Sequence, residues 1–289
     1  MRYHIISIVT IFLTLGIGIL IGNFLSNEGV IMEEQKKLMA ALEKDLLSLM
    51  TVRDQLKTKI TLLEAEKKLN DDFINYTFPL LINGALKTKN VLIIDLTESN
   101  NRKVVEGIVD ALRVAGVDSV TTGNILEGMD LTKFPERESL IDKLGLNVTY
   151  PNDINYHIVD LIVRTLISGR GSENISPLLE AGFISIEDEG SNPVDSVVII
   201  PSNMSEAAGK GYRLDLAIID ALKRLNVEII GVETVSAKTS YVNEYKAKGI
   251  STVDNIDTIP GKLALIHILL GKKGNFGVKG SASSLLPPL

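Results

Sequence analysis

The chain contains no cysteine and no tryptophan. The first absence removes disulfides, iron–sulfur clusters, thiolate zinc sites and a cysteine nucleophile together. It also accords with an extracytoplasmic location. Aromatic residues make up only 5% of the sequence, which argues against an aromatic cage for a cationic ligand. The three histidines, His4, His157 and His267, include no pair at the i, i+3 or i, i+4 spacing that places two imidazoles on one helix face. Positive charge is not in excess either, with 30 Lys+Arg against 36 Asp+Glu. The basic footprint that neutralises phosphates is missing, so nucleic acid is not an expected partner. No phosphate loop, G-x-G-x-x-G turn, paired-carboxylate motif or Ser–His–Asp order stands out, and neither an enzyme nor a bound cofactor is expected.

What the chain does have begins with apolar length. Residues 5–25 carry no charged side chain, and about 20 apolar residues at 1.5 Å each match a bilayer core. Arg2 followed by an apolar stretch is also how a cleaved signal starts. Yet this run is about twice a signal's usual core, and no A-x-A-like site follows Leu25, so a retained anchor is the expectation. Arg2 and the terminal amine lie on one flank and Glu28, Glu33 and Glu34 on the other. The positive-inside rule then leaves residues 1–4 as a cytoplasmic stub and puts the rest outside the cell membrane. Within the span, Gly18 and Gly22 form a small-xxx-small step, which lets two helix backbones approach closely in lipid.

Directly behind the span, Leu42, Leu49, Leu56 and Leu63 recur every seventh residue, interleaved with Met39, Leu46, Arg53 and Ile60. A strict seven-residue repeat keeps its seam facing a partner only if the helices supercoil. Leucine at every d position favours two parallel strands, and Arg53 at an a position can extend its charge out of a dimer seam. Residues 27–72 therefore read as a homodimerising coiled-coil stalk, ended by Asn70, Asp71 and Asp72, with residues 73–87 as a connector containing Pro79.

Past Lys87 the period changes. VLIIDL at 91–96, SVVIIP at 196–201 and VEIIGV at 227–232 are short β-branched runs of the kind buried on both faces of a parallel sheet. Amphipathic helical segments follow each, at 102–114, 213–225 and 241–248. Further helical patterns fall at 136–144 and 153–168, with a strand at 183–187. Residues 88–271 are thus an α/β head with a doubly wound, mostly parallel sheet. A Gly/Ser/Pro tail, 272–289, is expected to be loose.

Several polar stretches in the head are candidates for ligand contact. Asp95 and Glu98 lie where open α/β sheets bind ligands, although Asn100 or Asn101 as a helix cap explains that stretch more simply, without any ligand. Gly169-Arg170-Gly171-Ser172 and Gly209-Lys210-Gly211 could cradle an anion, and Glu187-Asp188-Glu189 a hard cation; ordinary loops account for all three.

Two segments carry a family resemblance. Tyr3 to Ile8 running on to Gly18-Ile19-Leu20-Ile21-Gly22, and Ser251-Thr252-Val253-Asp254-Asn255-Ile256-Asp257 followed by Pro260-Gly261-Lys262, resemble the opening and closing signatures of the MctB-like copper-transporter family. The order of anchor, coil and α/β head matches as well. The resemblance implies a bacterial envelope protein labelled for copper transport or efflux. It also implies relatives that act with a protein partner in cell division and control of cell-wall hydrolases. Copper fits the residues poorly, because soft Cu(I) wants thiolate or clustered thioether ligands and the six methionines are scattered. Asp254 and Asp257 read most simply as turn and cap residues before a helix starting at Pro260. Three functions stay in view: a dimeric envelope scaffold, a copper-handling component, and an α/β enzyme of unknown chemistry.

Overall fold

A computed structural model describes residues 2–97, 102–125, 136–146, 153–169, 173–187, 192–202, 213–237 and 239–288. The chain divides into two compact units, residues 1–71 and 72–289.

The first unit lies on one helix, α1 (Arg2–Ile82), of 81 residues. Its apolar span, Tyr3–Leu25, has a mean hydropathy of 2.6 and is long and apolar enough to cross a membrane. Every side chain described between residues 3 and 73 is exposed. The helix does not stop at Asn70-Asp71-Asp72. Acidic residues lower helix propensity only slightly, and the turns beyond them bury apolar side chains in the second unit's core. Pro79 sits three residues before the helix end, and its carbonyl still accepts from the Asn83 N–H at 3.1 Å.

The second unit is built on a seven-stranded sheet ordered β3-β2-β1-β4-β5-β6-β7. In chain order its elements are β1 (Asn90–Asp95), α2 (Arg102–Ala115), β2 (Ser119–Ile125), α3 (Arg137–Lys143), α4 (Ile154–Ser168), α5 (Ser176–Glu180), β3 (Ile184–Glu187), β4 (Ser196–Ile200), α6 (Leu214–Arg224), β5 (Glu228–Val232), α7 (Val242–Ala247), β6 (Ser251–Val253), α8 (Ile259–Leu269) and β7 (Asn275–Phe276). All neighbouring strands run parallel except β3, which pairs antiparallel with β2 through Gly123↔Ile186 and Asn124↔Ser185.

The alternation of side chains explains why the central runs are apolar throughout. On β1, Leu92 and Ile94 enter the core formed with α4 and α6, while Val91 and Ile93 enter the core formed with α2 and α8. Val197 and Ile199 divide from Val198 and Ile200 on β4 in the same way. Ile82 and Leu86 complete the second core. With helices on both faces the central positions of β1 and β4 are left to apolar side chains, which is the doubly wound α/β fold expected from the sequence.

The tail differs from expectation. Residues 275–276 form β7 beside β6, the Ser283 N–H donates to the Asn275 carbonyl at 2.7 Å, and the Gly277 N–H donates to the Ser284 carbonyl at 2.9 Å. Glycine and serine set no limit on order when the backbone itself is hydrogen-bonded; here Asp254 supplies part of that bonding, as described next.

Candidate functional site

Three features carry the residues that the sequence singles out. The first is the heptad face of α1. Leu42, Leu49, Leu56 and Leu63 are between 52% and 65% exposed, and Met39, Leu46 and Ile60 are exposed beside them. Arg53 turns to its neighbour, donating from Nε and Nη2 to Asp54 Oδ1 at 3.0 and 2.8 Å. In the apolar span, a Cβ added at Gly18 or Gly22 would meet nothing within 4 Å, so this flank is open to a close neighbour. A row of bare leucines has the chemistry of half an interface.

The second feature is the segment from Ser251 to Gly261. Thr252 donates from Oγ1 to Asn275 Oδ1 at 2.8 Å, and Ser251 Oγ accepts from the Gly274 N–H at 3.2 Å. Val253 is fully buried and its carbonyl accepts from the Glu233 N–H. Asp254, 0% exposed, accepts from the Val278 and Lys279 N–H groups at 2.7 and 3.1 Å, one on each carboxylate oxygen. Asp257 Oδ1 accepts from the Val235 N–H at 2.9 Å. Neither aspartate caps α8, contrary to the expectation from sequence. The cap is Thr258, whose Oγ1 accepts from the Gly261 N–H at 3.2 Å, with Pro260 in the first turn. Asp254 is free for another role because a threonine three residues before Gly261 already meets the requirement for an N-cap oxygen. Gly261 is required by close approach: a Cβ there would lie 2.0 Å from the Asn255 carbonyl oxygen. Nearby, buried Glu233 accepts from Ser240 Oγ, the Tyr241 N–H and Lys279 Nζ. These carboxylates are already spent on backbone and side-chain donors, so the segment fastens the C-terminal strand to the sheet.

The third is a cleft of about 310 Å³ at the carboxyl ends of β1 and β2, lined by Asp95, Arg102, Val105, Thr122, Asn124, Ser185 and Glu187. Asp95 is 6% exposed, and Oδ1 accepts from the Thr97 N–H and Oγ1 at 3.0 and 2.7 Å. Burial pushes its carboxyl above the ordinary range against the opposing pull of those bonds. Asn124 Nδ2 donates to the Thr97 carbonyl at 3.3 Å. Sequence reasoning locates Asp95 and Glu187 but misses Thr122, Asn124 and Ser185. Their signal is the polar alternation in Ser119–Ile125, a strand on which Thr122 and Asn124 are only half-buried. Glu98, Asn100, Asn101, Arg170, Gly171, Ser172, Asp188, Glu189, Gly209, Lys210 and Gly211 lie outside the described residues.

Among the described residues, no group of three or more His, Cys, Asp or Glu side chains could hold a metal ion. His157 is on α4 and His267 on α8, on opposite faces of the sheet. Met32 and Met39 are exposed on α1 seven residues apart.

A family model described as copper transport outer membrane protein, MctB, matches residues 1–287. No curated protein matches the chain.

Proposed function

We propose, from the premise that this chain belongs to the family described as copper transport outer membrane protein, MctB, that it works as a membrane-anchored, dimeric envelope scaffold. Its N-terminus is cytoplasmic, its coil and head are extracytoplasmic, and it is a regulatory partner in cell division or control of cell-wall hydrolases rather than an enzyme. The observation that carries this reading is the unbroken row of exposed heptad leucines directly behind a membrane-length helix. Two such helices bury that row by winding together in parallel, as a common membrane requires.

The absence of native cysteine makes the test clean. Leu49→Cys in membranes should crosslink to a species of twice the chain's mass, while Thr51→Cys, on the outer face of the same turn, should not. Ser283→Cys, exposed at the end of the head, should react with a membrane-impermeant maleimide in intact cells. A monomer at Leu49→Cys, or labelling of Ser283→Cys only after lysis, defeats the corresponding half of the reading.

The family's description favours a second reading, copper transport or efflux. Its one physical opening is the parallel seam, where Met32 and Met39 would each occur twice. Purified full chain should yield Cu(I) to a high-affinity chelator. Retention that is abolished by Met32→Leu with Met39→Leu would establish the copper reading instead, since those changes keep the seam apolar and remove only sulfur.

A further inference from the structure

The last turns of α1 have two unlike faces. On one, Phe78 is half-buried and Ile82 is 1% exposed, both packed in the core with Leu86. On the other, Phe73, Tyr76 and Leu80 are 66%, 75% and 67% exposed. Their i, i+3, i+7 spacing puts all three side chains on a single stripe, bordered by Leu81. Scattered exposed apolar residues are ordinary, whereas a contiguous stripe with two aromatics in a chain of seven phenylalanines and seven tyrosines is not. In the register set by Leu42 to Leu63, Phe73 and Leu80 fall at g and Tyr76 at c. Position g flanks the a/d seam and c lies outside it, so a dimer closed through that seam leaves Tyr76 bare and covers Phe73 and Leu80 only in part.

Charge narrows what can cover it. Asp71 and Asp72 precede the stripe, both exposed, and no lysine or arginine occurs between Lys68 and Lys87. A second copy joined in parallel on this face would set its two aspartates against the same pair. Phenylalanine at i and tyrosine at i+3, with leucine at i+7, are the anchor pattern of a helix that seats in a groove.

We propose that Phe73, Tyr76 and Leu80 form a docking surface for another envelope protein, which receives them in an apolar groove rimmed by lysine or arginine. This rests on the scaffold reading and adds the chemistry of the partner. All three side chains are exposed, so changing them leaves the head's core intact.

The test places a photoreactive phenylalanine analogue at Tyr76, Leu80 or, as a control on another face, Asn75 of the full chain in its native envelope. Tyr76 and Leu80 should each give one discrete adduct with a different protein, and Asn75 should give none. The crosslinked peptide should carry basic residues beside apolar ones. Phe73→Asp, and separately Asp71→Lys with Asp72→Lys, should lower the adduct at least tenfold while the Leu49→Cys crosslink stays unchanged. An adduct of twice the chain's mass, an adduct to lipid alone, no adduct, or an adduct indifferent to charge reversal overturns the proposal. The two readings fail separately, because loss of the Leu49→Cys crosslink strikes the dimer and loss of the Tyr76 adduct strikes the docking surface.

Discussion

Leu49 on the long helix is 65% exposed, and Leu112 on α2 is 0% exposed. Both are leucines on amphipathic helices, and both follow the periodicity of a buried face. The difference lies in where the covering surface comes from. The α/β unit supplies its own, with helices against both faces of the sheet, so nearly every apolar position is satisfied within one chain. The helix of residues 2–71 supplies none. Its seven-residue period marks a face suited to being covered, as the alternation on β1 does, and among the described residues nothing covers it. One sequence thus encodes a self-sufficient fold and, on the scaffold reading, half of an assembly, and on that reading the two should fail independently when mutated.

The largest effect expected is on the helix. Leu49→Glu with Leu56→Glu removes four buried side chains from a dimer at about 1.5–3 kcal/mol each. That is at least about 6 kcal/mol, or on the order of 10⁴ in dissociation constant. The crosslink formed by Leu63→Cys should vanish in that background, with the thermal transition of the α/β unit unmoved. A shifted transition would tie the two regions together and break the comparison.

The converse change is Gly261→Ala. A Cβ at 2.0 Å from the Asn255 carbonyl oxygen forces the start of α8 away from β6, which costs about 3 kcal/mol and lowers Tm by roughly 6–12 °C. The Leu49→Cys crosslink should persist. Asp254→Asn is milder. It keeps one acceptor oxygen for Val278 and turns an amide toward the Lys279 N–H, at about 2 kcal/mol. Hydrogen exchange should quicken at residues 275–286 before it does in β1 or β4.

The smallest effect, and the only gain, is at Asp95. Its folded-state carboxyl is held above the ordinary value of 3.8 chiefly by burial. The folded state therefore binds more protons than the unfolded one just above that value, and stability rises as pH falls through this window. Asp95→Asn retains an oxygen for Thr97 and removes the buried charge. It should raise Tm at neutral pH by about 2 °C and flatten the acid-side dependence. A lowered Tm at neutral pH would mean that the ionised form is preferred in place.

Much of this architecture is legible in the amino-acid sequence. The heptads are read from spacing alone, and VLIID and SVVII announce themselves because both faces of β1 and β4 are covered. β2 is harder to read: its one signal is the short polar alternation of Thr122 and Asn124, turned to the cleft, and its two apolar residues, Val120 and Ile125, fall on opposite faces. β6 and β7 have three and two residues, too few for any period. The hold of Asp254 on residues 278 and 279 is invisible for a different reason. Those bonds run to backbone N–H groups, which every residue but proline possesses, so no side chain in the Gly/Ser tail advertises them.

That hold also sets the order in which the molecule can mature. A chain is made from its N-terminus, and the heptad leucines are complete some two hundred residues before the donors that Asp254 needs. β1 must likewise wait for β4, and the Asn90 N–H for the Asp195 carboxylate. The long helix can form while the sheet is still being assembled, whereas the last edge of the sheet closes only once residues 275–284 arrive. The heptad face is therefore complete early in synthesis, and the sheet closes late.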